Sequence, residues 1–113
     1  PPKYQHVVEF RHKSWIDDAV FDILRGHNVG LCVFDMPGFS CPLVVTSNFA
    51  YVRFHGSEGL YSSCYSDEEL SQWAQKIARL GQNVKASYIY FNNDAEAFAV
   101  KNAITLGKLL NIP

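Results

Sequence analysis

Phe49-Ala50-Tyr51-Val52-Arg53-Phe54-His55-Gly56, then Ser66-Asp67-Glu68-Glu69-Leu70, then Ala86-Ser87-Tyr88-Ile89-Tyr90-Phe91 are the stretches that decide the fold. The first and third are rich in β-branched and aromatic residues and are stopped by Gly56 and by Asn92-Asn93-Asp94, as strands are. Between them Ser66 and Glu69 stand at capping-box spacing, each side chain placed to satisfy the other's orphan backbone N–H. Leu70, Trp73, Ala74, Ile77 and Ala78 follow at helical spacing, and Gly81 ends the run. A strand, a helix and a strand in succession predict a right-handed crossover and a parallel pair.

Upstream, His6-Val7-Val8-Glu9-Phe10 and Val29-Gly30-Leu31-Cys32-Val33-Phe34 read as two more strands. Ser14 is expected to cap the helix between them, with Ile16, Ala19, Val20, Ile23 and Leu24 as its apolar stripe. A last helix is expected from about Asp94 to Leu110, with Phe98, Ala99, Ala103, Leu106 and Leu110 on one face. Asn102 interrupts that stripe and, if buried, needs a neighbouring backbone as partner. The stretch Asp35-Met36-Pro37-Gly38-Phe39-Ser40-Cys41-Pro42 is too broken for a helix and predicts a long loop. The expected class is α/β, a parallel (β/α) TIM-barrel-like arrangement amounting to about half a barrel, with four parallel strands and three main helices.

The composition agrees with one folded domain: 113 residues, 48% hydrophobic and 14% aromatic. Ten Lys and Arg against eleven Asp and Glu give a net charge of −1, which supplies no broad basic surface for nucleic acid or anionic membrane. No apolar run approaches the roughly 20 residues that span a bilayer. Three cysteines, Cys32, Cys41 and Cys64, without a Cys-x-x-Cys pair, point away from a disulfide framework and toward a reducing cytoplasm. The sole methionine is Met36, so Pro1 is not expected to be the native start.

Strand alternation separates the side chains into two sets. Phe10, Phe34, Phe54 and Phe91 are expected to face the helices. Glu9, Arg11, Asp35, Arg53, His55, Tyr88, Tyr90 and Asn92 then share the opposite face, at the C-terminal strand ends where α/β proteins place their sites. Glu9 and His55 are the candidates for proton transfer, and His55 reads equally as a hydrogen-bonded core histidine. Arg11 and Arg53 are candidates for gripping an anion. Trp15, Tyr61 and Tyr65 would stack on a ring, and Asp35, Tyr90 and Asn92 would line the pocket. The competing reading is a satisfied ion-pair layer, such as Glu9 with Arg53, plugging a barrel interior. No dinucleotide fingerprint, Walker loop, nucleophile elbow or compact metal-ligand spacing occurs, so no cofactor is named.

Glu9-Phe10-Arg11-His12-Lys13-Ser14-Trp15, Tyr51-Val52-Arg53-Phe54-His55-Gly56, Glu69-Leu70 with Trp73-Ala74, Tyr90-Phe91-Asn92-Asn93, and Ala99 with Asn102-Ala103 together resemble the DUF72 (YecE-like) family. The resemblance runs in order over nearly the whole chain. It implies a TIM-barrel-type protein of about twice this length, with residues 1–113 as its C-terminal half and a polar pocket at the strand C-termini. It supplies no reaction. The residues themselves point to a hydrolase or isomerase acting on a small polar or phosphorylated ligand. The alternative is a non-catalytic module binding a nucleotide or single-stranded nucleic acid. Four strands cut from a barrel have two open edges, so self-association or pairing with the missing N-terminal half is expected.

Overall fold

The computed structural model describes residues 4–56 and 64–111. Helix α2, Asp67–Leu80, starts at the predicted capping box. The Ser66 hydroxyl accepts from the Glu69 N–H at 3.1 Å, and the Glu69 carboxylate accepts from the Ser66 N–H at 3.1 Å. Leu70, Ala74 and Ile77 turn the buried side of α2 onto the sheet. Strands β4 (Phe49–Phe54) and β5 (Ala86–Phe91) flank it and pair in parallel, from Phe49 opposite Ala86 to Phe54 opposite Phe91. Strand β1, Val7–Val8, and strand β2, Gly30–Met36, extend the sheet in parallel on the other side. The order β1-β2-β4-β5, with α1 (Asp18–Gly26), α2 and α3 (Phe98–Leu109), is an α/β fold of four parallel strands and three helices.

Three local expectations are corrected. Ser14 does not cap α1. It lies in a 3-10 turn, Lys13–Trp15, behind His12, and Asp17 caps α1 by accepting from the Ala19 N–H at 2.8 Å. Asp17 sits directly before the helix with extended backbone, the geometry an N-cap requires. Helix α3 begins at Phe98 rather than Asp94, because Glu96 (φ 50) and Ala97 (φ 61) are left-handed and end the preceding 3-10 turn. The predicted loop after β2 instead folds back as a hairpin. Strand β3, Phe39–Ser40, pairs antiparallel with Asp35–Met36 about Pro37-Gly38, where Gly38 takes φ +75.

The core lies between the sheet and its helices. Phe10 packs with Phe21, Leu24 and Leu31, while Phe54 and Phe91 pack with Leu70, Ile77 and Leu106, as the alternation predicts. Phe34 departs from it. Leu31 and Val33 belong to the helix-side clusters, so Phe34, one residue out of phase, takes the opposite face. It pairs in register with Arg53, and its ring lies 6.0 Å from that of His55. By the same parity Asp35, opposite Phe54, turns to the helix side.

Candidate functional site at the strand C-termini

Glu9 is the centre of the polar cluster. It follows β1 directly and is 14% exposed. One carboxylate oxygen, Oε2, accepts from Arg11 Nε at 2.6 Å. The other, Oε1, accepts from Arg53 Nη1 at 3.2 Å, faces His55 Nε2 at 3.2 Å and takes the Cys32 thiol at 3.3 Å. Asn92 holds Arg53 from the far side, accepting from its Nε at 3.1 Å. The backbone prepares these positions. The His55 N–H donates to the Asp35 carbonyl at 2.8 Å and the Asn92 N–H to the Phe54 carbonyl at 2.7 Å, so the ladder continues one residue beyond β4 and β5. Glu9, Arg11, Arg53, His55 and Asn92 thus meet at the C-terminal ends of three strands. Cys32, read from the sequence as an ordinary core residue, joins them; its apolar run carried no sign of the contact.

Burial works to raise the Glu9 carboxyl, yet the donors Arg11, His55 and Cys32 outweigh it and hold the group below its ordinary value. Burial, and after it the Glu9 carboxylate, push the Cys32 thiol far up, so it stays a neutral donor. His55 is fully buried, whereas the Arg53 side chain is 31% exposed and that of Arg11 is 45% exposed. Two guanidinium cations share the Glu9 carboxylate, and both arginine side chains are partly open to solvent.

The remaining candidates are dispersed. Asp35 does not reach the mouth. Its Oδ2 accepts from the Tyr65 hydroxyl at 2.8 Å, and burial raises its carboxyl above the ordinary value. Tyr65 cannot stack on a ligand. It is buried against Phe54 and Phe91, and its hydroxyl also accepts from the Gly56 N–H at 3.0 Å. Trp15 stacks on Phe10 at 5.0 Å with rings nearly parallel, so one face is covered and the other is open. Tyr90 shares the face of Arg53 and lies 5.2 Å from Tyr51. Val7, Tyr51, Tyr88 and Tyr90 line a cavity of about 210 Å³ on this open sheet face. Tyr61 lies outside the described residues. Asn102 finds the backbone partner its burial demands: it accepts from the Tyr65 N–H at 3.0 Å and donates to the Tyr65 carbonyl at 3.1 Å. Among the described residues no group of three His, Cys, Asp or Glu side chains would hold a metal ion, and no helix is long and apolar enough to cross a membrane.

A parallel α/β sheet with a charged cluster at its strand C-termini defines the class of protein. The chain belongs to the family described as "Protein of unknown function DUF72", whose profile matches residues 1–113. A DUF72 family protein from Thermotoga maritima MSB8 is 34% identical and superposes with a TM-score of 0.90, over 96% of this chain and 47% of that one. A DUF72 family protein from Enterococcus faecalis V583, at 19% identity and a TM-score of 0.89, shares the fold over 98% of this chain and 49% of its own. The UPF0759 protein YunF of Bacillus subtilis strain 168 is 26% identical over 130 residues, 93% of this chain and 46% of YunF. The chain therefore spans about half the length of the relatives it matches.

Proposed function

We propose that the strand C-termini form a binding site for a small anionic ligand, phosphorylated or carboxylated, gripped by Arg11 and Arg53. The observation that carries this reading is the saturation of Glu9. Its two oxygens already take four contacts, so it serves to orient the guanidinium groups rather than to accept a proton. If a hydrolytic or isomerising step acts on the ligand, His55, oriented by Glu9, is the group left to carry the proton. The free cysteines support a reducing, cytoplasmic setting. Calorimetric titration with inorganic phosphate tests the site. Arg53→Gln should weaken binding about tenfold or more, the loss expected for one charge-assisted contact. Equal affinity in the variant, or no binding to the parent chain, overturns the reading.

The open sheet face supports a second proposal, on assembly. Tyr88 is 37% and Tyr90 48% exposed on the inner face, and β1 and β5 are both edges. An unpaired parallel edge beside exposed aromatics is a template for another sheet. The 113 residues made on their own should pair through this face, a second copy standing in for the other half-barrel. Light scattering at high concentration checks it, and a stable monomer would refute it.

A further inference from the structure

A second crevice opens beside the charged cluster. Arg11, His12 and Lys13 form one wall, and Gly38 and Phe39 at the tip of the β2–β3 hairpin form the other. Its volume is about 460 Å³, within the range of small-molecule sites. The walls come from the segments following β1 and β2, so the crevice needs no other chain to exist.

The cationic wall is built for an anion. Arg11 is anchored through Nε on Glu9, which fixes the direction of its guanidinium. His12 is fixed as well. The Ser14 N–H donates to its Nδ1 at 3.1 Å, so Nδ1 is an acceptor and a neutral ring carries its proton on Nε2. That tautomer makes His12 a donor on its outer side. Lys13 adds a third donor and a second full positive charge. Among the described residues no carboxylate lines the crevice. Three donors on consecutive residues match the three oxygens of a phosphate better than the two of a carboxylate.

The opposite wall is apolar and flat. Phe39 leans on Phe34 with ring centroids 5.1 Å apart, which fixes its orientation. Gly38, with φ +75, has open space where a Cβ would stand, so the hairpin tip does not block the ring. A cationic wall facing an aromatic one selects a ligand with an anionic end and a flat end.

We propose that this crevice binds a phosphomonoester carrying an aromatic ring, the phosphate on Arg11, His12 and Lys13 and the ring on Phe39. The proposal deepens the anion-binding reading and rests on it, because Arg11 belongs to both sites. The test is calorimetric titration of the chain with phenyl phosphate and with inorganic phosphate. Phenyl phosphate should bind about fivefold more tightly, the gain expected from one aromatic contact. Phe39→Ala should remove that advantage and leave inorganic phosphate unchanged. Lys13→Gln, a substitution of an exposed side chain that leaves the fold intact, should weaken both ligands about fivefold. Equal affinities for the two ligands in the parent chain overturn the proposal, as does indifference to Phe39→Ala and Lys13→Gln. If those two variants are silent while Arg53→Gln abolishes phosphate binding, the crevice fails and the site around Glu9 stands. If inorganic phosphate does not bind at all, both fail.

Discussion

Glu9→Ala should destabilise the protein by about 3 kcal/mol, measured by urea denaturation, because it removes the carboxylate that Arg11, Arg53 and His55 share. Breaking a fully buried pair costs about 3–5 kcal/mol. The partial exposure of both arginines lets water take over some of their solvation and places the expected loss at the low end. A loss under about 1 kcal/mol would mean that the cluster is solvated and positions nothing. The pH dependence is specific. The Glu9 carboxyl lies below its ordinary value of 4.5 in the folded chain, so its contribution is complete above pH 4.5 and is lost as the pH falls through the lower, folded value. Asp35 acts in the opposite sense. Burial raises its carboxyl above 3.8, so protonation favours the folded state and stability is gained as the pH falls from the raised value toward 3.8. Glu9→Gln should therefore abolish the acid loss. Asp35→Asn, which keeps an acceptor for Tyr65, should steepen it. The same acid profile in all three proteins would show that neither carboxyl is coupled to folding.

The opposite behaviour of these two carboxylates marks where the sequence was legible. Glu9, Arg53, His55 and Asn92 follow or end strands whose alternation is clear, so their convergence is readable from parity alone. Asp35 lies in a strand in which Gly30 through Phe34 are buried throughout, and such a run offers no alternation from which to read a face. The assignment of Phe34 and Asp35 is inverted for that reason. The βαβ unit is legible because Ser66, Glu69 and the stripe from Leu70 to Ile77 act through neighbours three or four residues away. Tyr65 is not, since its partners Asp35 and Asn102 are 30 and 37 residues distant. Nothing local announces the left-handed pair Glu96-Ala97, whose residue types do not favour that conformation. The start of α1 is misplaced because Ser14 falls inside the 3-10 turn Lys13–Trp15, and the extended backbone that an N-cap needs comes only at Asp17.

Asn102→Leu should cost about 3–5 kcal/mol, although the replacement is similar in shape and more apolar. Asn102 is only 4% exposed, on α3. Its Oδ1 accepts from the Tyr65 N–H and from Asn93 Nδ2 at 2.8 Å, and its Nδ2 donates to the Tyr65 carbonyl. The amide thus pairs with both backbone groups of Tyr65 as a neighbouring strand would. Leucine fills the space and offers no partner, and each buried polar group deprived of one costs about 1–3 kcal/mol. The consequence extends beyond α3. The hydroxyl of the same Tyr65 bridges the Asp35 carboxylate and the Gly56 N–H, next to His55. Asn102 holds the backbone of Tyr65, and Tyr65 holds the chain where β4 leaves the sheet. Tyr65→Phe removes only the hydroxyl, so its cost should shrink once Asn102→Leu has loosened the ring. A double-mutant cycle by urea denaturation should show coupling of about 1 kcal/mol between the two. Strict additivity would mean that Asn102 secures α3 alone, and that the chain entering the charged cluster is held by β4 without it.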